Sequence, residues 1–302
     1  MKEEIIYWNK GEFKIESELT ISLLSPTSQF GLNVFEGIRC YKNKDHMLLF
    51  RLNDHIDRLY NSANQIGVRI KESKDELKKI IISVIKKNNF SSDIILRVIL
   101  YVDQKGSWSQ NYDGEILVIP KEYNRAYEKK KSLNLYLSKW ERINENSMPP
   151  TIKCGANYIN SRLAHLDAVK NGFDTALLIN NNGTISESTG ACFFGIKNNK
   201  LITPPISSSI LDSITRKTII QISKELLNIN TEIREVKLEE IELFEEIFLC
   251  GTSVEIFPVA KINKKQIGNN EAGILTPKLQ EIYFLLVRGG YKNYNNWITQ
   301  II

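Results

Sequence analysis

Strand and helix patterns alternate along both halves of this chain, and a polar, charged stretch poor in β-branched residues, Lys121–Ser132, separates the halves. That ordering predicts two α/β-type domains with mixed sheets. Residues 1–122 are expected to form a smaller N-terminal α/β domain, 123–133 a linker, and 134–302 a larger C-terminal domain. In the first half Ile21–Leu24, Asn33–Tyr41, Met47–Arg51, Ile94–Val102 and Glu115–Ile119 read as strands. Asn53 is expected to cap a helix carrying Ile56, Leu59, Ala63 and Ile66, ended by Gly67. Asp75–Lys87 repeats the helical spacing with Leu77, Ile80, Ile81 and Val84. In the second half Leu133–Trp140, Thr175–Ile179, Thr184–Glu187, Cys192–Ile196, Leu201–Thr203, Glu232–Val236, Glu246–Cys250 and Glu255–Ile262 read as strands. Asn157–Lys170, a segment capped by Asp212 or Ser213 and running to Leu227, and Pro277–Val287 read as helices. Asn180-Asn181-Asn182-Gly183 marks a hairpin.

The 302 residues are 42% hydrophobic and 25% charged, which excludes a wholly disordered chain, a collagen-like fibre and a disulfide-stapled mini-protein. The net charge of +5 is small and spread out, so neither nucleic acid nor a membrane surface is expected as a partner. The one basic run, Lys129–Lys131, reads as a solvated loop. No segment approaches the roughly 20 apolar residues of a membrane span, and Met1–Tyr7 lacks a secretory apolar core. Cys40, Cys154, Cys192 and Cys250 stand far apart, as reduced thiols of a cytoplasmic protein would. With three histidines, a His-rich metal site is not expected.

Several residues could carry chemistry, and each has a plainer reading. Arg97 interrupts the apolar strand Ile94–Val102: either it points outward from a half-exposed strand, or its planar fork meets a carboxylate in a pocket. Leu211-Asp212-Ser213-Ile214-Thr215-Arg216 opens a helix whose free N–H groups would suit a phosphate, though ordinary capping also accounts for it. Gly251-Thr252-Ser253 is a second such cradle, or a turn. Lys153, between Pro149-Pro150 and a helix start, is a solvated loop lysine or a nucleophilic amine able to form a Schiff base. Glu187, before Ser188-Thr189-Gly190-Ala191, is a surface carboxylate or part of a site. No glycine-rich nucleotide loop, nucleophile elbow or metalloprotease motif is present.

Taken together and in order, these segments resemble the class IV, or fold type IV, pyridoxal-phosphate aminotransferases, with the branched-chain amino acid aminotransferases as the nearest branch. The strings that carry the likeness are Phe30–Arg39, Phe50-Arg51, His55–Leu59, Lys153–Tyr158, Gly183–Glu187, Thr203-Pro204-Pro205, Leu211–Arg216 and Gly251–Glu255. The resemblance implies a two-domain mixed α/β fold like that of D-amino acid aminotransferase, and pyridoxal 5′-phosphate as cofactor. It implies that Lys153 is the catalytic Schiff-base lysine, that Glu187 pairs with the pyridine nitrogen, and that Tyr158 lies by the ring hydroxyl. Arg58, Leu211, Ser213, Ile214, Thr215 and Thr252 match the remaining cofactor-binding positions. Phe30, Phe35, Gly37, Ile95, Arg97, Tyr123 and Ser253 match the substrate pocket, with the Arg97 position associated with the glutamate side chain.

Three departures bear on the substrate. Phe30 stands where the branched-chain enzymes often have a tyrosine that reaches into the pocket of the neighbouring subunit, and Ile95 where a bacterial branched-chain enzyme has a tyrosine that helps hold the substrate α-carboxylate. Ala191-Cys192 replaces a Glu-Asn pair. The pocket is therefore expected to be more apolar. The implied activity is transfer of the amino group of a branched-chain or other apolar L-amino acid to 2-oxoglutarate, in a ping-pong cycle run by a homodimer or higher homo-oligomer. The alternatives are another pathway aminotransferase, a D-amino acid aminotransferase or aminodeoxychorismate lyase on the same scaffold.

Overall fold

A computed structural model describes residues 4–44, 46–123, 130–268 and 273–301. The chain forms two compact units: Met1–Asn124 with Ile152–Ala156 and Leu285–Ile302, and Arg125–Thr151 with Asn157–Phe284. The linker expected over 123–133 falls mainly on 124–129, which lie outside the described residues, as does Lys129 of the basic run.

In the first unit, β1 (Tyr7–Asn9), β2 (Glu12–Lys14), β3 (Asn33–Asn43), β4 (His46–Phe50), β5 (Val68–Ile70), β6 (Ile94–Tyr101) and β7 (Tyr112–Glu122) share a sheet with the chain's last strand, β17 (Ile298–Ile301). Their order is β17-β4-β3-β6-β7-β1-β2, with β5 beside β7. Helices α1 (Pro26–Phe30), α2 (Leu52–Gln65) and α3 (Lys74–Asn88) complete the unit. The apolar stripes predicted for α2 and α3 supply Ile56, Leu59, Ala63, Leu77, Ile81 and Val84 to one core with Ile38, Leu49, Leu96 and Val98 of the sheet. A reciprocal capping box opens α3: Ser73 Oγ accepts the Glu76 N–H at 3.3 Å and Glu76 Oε2 accepts the Ser73 N–H at 2.7 Å.

Two expectations fail here. Asn53 does not cap α2; the helix starts at Leu52 behind Arg51, whose φ is 54° and whose N–H donates to Trp297 O at 2.7 Å. Ile21–Leu24 is not a strand, because the Ser22 N–H is taken by the Asp103 side chain at 2.6 Å and the chain bends into the Ser25 cap of α1.

The segment Ile152–Ala156 is held by first-unit backbone. The Phe35 N–H donates to Lys153 O at 3.0 Å, Val34 bridges Cys154, and the Lys153 N–H donates to Ser62 Oγ at 3.1 Å. Gly155 permits this approach, since a Cβ there would lie 2.6 Å from Asn33 Oδ1. Lys153 therefore goes with the first unit and not with the expected 134–302 domain, because strand-like pairing outweighs chain proximity.

In the second unit the strands are β8 (Leu133–Leu137), β9 (Thr175–Ile179), β10 (Ile185–Ser188), β11 (Cys192–Lys197), β12 (Lys200–Thr203), β13 (Thr231–Ile233), β14 (Glu246–Gly251), β15 (Glu255–Ile262) and β16 (Lys265–Gln266). They run β10-β9-β8-β15-β14-β11-β12-β13, and a further β10–β11 pairing closes six of them into a ring. The β8–β9, β8–β15 and β12–β13 pairs are parallel, which makes the sheet mixed, as predicted. Leu135, Leu177, Phe193, Phe244, Leu249 and Val259 fill the core. Helix α4 (Tyr158–Lys170) packs Ala164 and Ala168 on Ala176 and Leu178; α5 (Ile214–Leu227) and α6 (Leu275–Leu286) complete the unit. Strand β8 stops at Leu137 rather than Trp140 because Ser138 turns the chain, its hydroxyl accepting the Trp140 N–H.

Candidate active site

The first unit collects its candidate residues on β3, β6 and the Lys153 segment. Antiparallel pairing sets Gly37 opposite Arg97 and Arg39 opposite Ile95. Phe35, Gly37 and Arg39 point to one face of β3, by the two-residue alternation of a strand. The Phe35 ring is shared by two cations: Lys153 Nζ lies 4.9 Å from its centroid and the Arg97 guanidinium 5.0 Å. Arg97 is exposed on β6, with its fork accessible to an anion. Lys153 is half-buried against an aromatic face rather than extended into solvent. A Cβ on Gly37 would come no nearer than 3.8 Å to Ile95 Cδ1, so both small and apolar positions leave the face open. Tyr123 lies under the Arg39 guanidinium at 4.4 Å. Phe30 is exposed at the end of α1.

Arg58 was expected as a phosphate anchor. Its guanidinium grips Glu36 in a fork, Nε to Oε1 at 2.6 Å and Nη2 to Oε2 at 2.8 Å, while His55 Nδ1 meets Oε2 at 2.7 Å. Glu36 and His55 are fully buried. Burial alone would push the Glu36 carboxyl up; the charge and hydrogen bonds of Arg58, joined by His55, outweigh it and hold Glu36 far below the usual carboxylate range. Burial pushes the His55 imidazole down despite the Glu36 bond. Nothing in the local sequence marks Glu36 and His55 as a pair. The available signals were a carboxylate on the inward side of an apolar strand and a His-x-x-Arg spacing on one helix face.

The second unit builds its candidates around the seam of the strand ring. Glu187 on β10 pairs in register with Cys192 on β11 and is buried. Its Oε1 accepts from Arg142 (Nη2 at 2.9 Å, Nε at 3.1 Å) and from the Leu211 N–H at 3.2 Å. Oε2 accepts from the Cys192 thiol at 3.7 Å. Arg142, further placed by Asn160 Oδ1 at 3.2 Å, has no sequence signal, since it sits in the loop after β8. Ser213 caps α5, its Oγ accepting the Arg216 N–H at 3.2 Å. The Ile214 and Thr215 N–H groups in that first turn have no intrahelical partner by helix geometry. Arg216 is buried and bonds Thr203 Oγ1 at 3.1 Å and Pro204 O at 2.8 Å, so the Thr203-Pro204-Pro205 string fixes the helix start. Thr252 and Ser253 sit in the three-residue turn between β14 and β15, and Gly251 packs on Gly190 and Ala191. Tyr158 opens α4 and is half-buried.

The model of the family described as amino-transferase class IV matches residues 33–262, a span that includes Lys153, Glu187, the α5 start and Thr252. A probable branched-chain-amino-acid aminotransferase of Aquifex aeolicus is 33% identical over 97% of this chain and 95% of its own length. The solved branched-chain amino acid aminotransferase of Thermobaculum terrenum, in its PLP-form, superposes with a TM-score of 0.94 at 35% identity, covering 100% of both chains. That of Thermoproteus uzoniensis, with norvaline, gives 0.95 at 30% identity over 99% of this chain and 100% of the other. With most of its length matched and every candidate residue but Phe30 inside the matched span, the chain belongs to the class IV aminotransferase family.

Proposed function

We propose that this chain is a pyridoxal-phosphate-dependent aminotransferase of the branched-chain type, moving the amino group of an apolar L-amino acid to 2-oxoglutarate. The observation that carries this reading is the near-full-length likeness to branched-chain aminotransferases in a chain that keeps Lys153 and a buried Glu187. The donor set fits the cofactor. The first unit offers a primary amine on an aromatic face; the second, taken by itself, offers a buried carboxylate with Oε1 occupied by nitrogen donors and Oε2 by a thiol alone among the described residues, and a helix start whose first N–H groups have no intrahelical partner.

Pyridoxal phosphate supplies an aldehyde for amino exchange and a conjugated ring that takes up the electron pair left at a deprotonated Cα. The residues supply the rest. Lys153 Nζ would hold the aldehyde end of the cofactor and, as a free amine, would move the proton at the substrate Cα. Glu187 holds a proton on the pyridine nitrogen. Arg58, Leu211, Ser213, Ile214, Thr215 and Thr252 hold the phosphate end, and Tyr158 orients the ring hydroxyl. Phe35, Gly37, Ile95 and Tyr123, with Phe30 from a second copy, shape an apolar pocket; Ser253 and Arg97 receive carboxylates, Arg97 that of the glutamate side chain.

The same proposal includes a homo-oligomer in the cytoplasm, with 123–133 as the connection between domains. Ile159, Leu163, Leu166 and Val169 form an exposed apolar stripe on α4, which supports a second copy as partner. Four free buried thiols support a reducing compartment. Among the described residues no helix is long and apolar enough to cross a membrane.

The test is the absorbance of the cofactor-loaded protein titrated with single amino acids. The visible band is expected to fall with L-leucine, L-isoleucine, L-valine or L-glutamate and to return with 2-oxoglutarate. A band that none of these changes, or product formed without any 2-oxo acid, would overturn the assignment.

A further inference from the structure

Cys192 lies against Glu187, Leu211 and Ser213, three of the cofactor-binding positions named above. It lies in one transverse row with Glu187 on β10 and Cys250 on β14, paired in register with each, so all three point to the same face. Glu187 Oε1 already accepts the Arg142 guanidinium and the Leu211 N–H. Among the described residues the thiol is the sole hydrogen-bond donor to Oε2, at 3.7 Å. The same S–H can turn to Leu211 O at 3.9 Å, and the Ser213 hydroxyl that caps α5 also interacts with the sulfur. Arg216 of α5, Cys250 of β14 and Glu187 are the charged or titratable groups around it. Burial, and then the Glu187 charge, push the Cys192 thiol up to about 12, so at neutral pH it is a neutral donor.

A plain core thiol would need none of these contacts. The S–H is a weak donor, weaker than a hydroxyl or an amide N–H in the same place. A carboxylate oxygen that spends little on its own protein keeps its full acceptor strength for another N–H. The geometry points to Cys192 as a positioning residue for the reaction: its thiol orients Glu187 Oε2 while leaving that oxygen a strong acceptor for the protonated ring nitrogen. This rests on the aminotransferase reading, and it makes the replacement of the usual asparagine by cysteine a change in how strongly the ring nitrogen holds its proton.

The test uses the full chain stripped of cofactor and loaded with 4′-deoxypyridoxine 5′-phosphate, an analogue without the aldehyde, so neither Lys153 chemistry nor turnover enters. The pKa of the bound ring nitrogen, read from ultraviolet absorbance, is compared in wild type, Cys192→Ala, Cys192→Ser and Cys192→Asn. The stronger donors are expected to lower it, asparagine and serine by about half a unit or more, while alanine leaves it equal or higher. With the natural cofactor, Cys192→Asn is expected to lower kcat for L-leucine with little change in KM. Equal ring pKa values in all four proteins would overturn the proposal and leave Cys192 as packing. Thermal melting separates a folding defect from a loss of tuning, and alanine and serine suffice if asparagine does not fold. Failure of the wild type to bind the analogue would instead strike the aminotransferase reading itself.

Discussion

Lys153 and Glu187 carry the sharpest tests at the scale of single residues. Lys153→Ala is expected to reduce transamination roughly a thousand-fold or more, measured in multiple-turnover assays with L-leucine and 2-oxoglutarate. Glu187→Gln leaves the buried Arg142 guanidinium facing a neutral amide, 2.9 Å from the former carboxylate oxygen. A loss of about 3 kcal/mol in folding stability is expected, read by urea unfolding, together with weaker cofactor binding. The Glu36–His55–Arg58 cluster predicts a pH dependence. His55 has its folded value below its unfolded one, so acid loads the unfolded chain with protons first, and stability falls as pH drops below about 6.5. Glu36, also lowered, contributes fully above its ordinary range near 4.3 and loses its contribution only as pH falls further. Urea midpoints at pH 7.5 and 5.5 should therefore differ more in wild type than in His55→Gln; equal differences would remove the imidazole as the cause. Of these residues, sequence marked Lys153, Glu187 and Arg58 through the strings around them. It could not mark Arg142, whose role depends on a loop crossing to a strand 45 positions later.

Helices were legible because their evidence is local. The stripes of α2 and α3 and the Ser213 cap of α5 are spacings within one segment, and each element formed close to its expected bounds. Removing that cap with Ser213→Ala should cost about 1 kcal/mol in folding stability, by urea unfolding, and loosen cofactor binding beyond that seen for capping serines elsewhere in the chain such as Ser73. Short strands were the less legible part. β1 and β17 are only three and four residues long and depend on β7 and β4, partners far away in sequence, while the edge strand β2 pairs with β1 alone. The reverse holds for Ile21–Leu24, which has the composition of a strand and no partner. The β10–β11 seam, which puts Cys192 beside Glu187, follows from closing a ring of strands, and no spacing along the chain encodes it.

For the whole molecule, the exposed stripe of α4 makes the clearest forecast. Its inner face is small and buried, Ala164 and Ala168, whereas Ile159, Leu163, Leu166 and Val169 face outward. Leu166→Arg with Val169→Glu is expected to shift the protein toward monomer in light scattering and to lower activity with it; an unchanged mass would place the partner surface elsewhere. The last strand has a different consequence, in the order of synthesis. β17 pairs with β4, and Arg288 bonds Asp93 at 2.6 Å, so the first unit's sheet is completed by residues translated after the whole second unit. While the ribosome makes the intervening chain, on the order of tens of seconds, the β4 edge stays unpaired. The N-terminal unit then emerges before the second unit and closes after it, and the nascent chain must shield an open strand edge while the second unit is made.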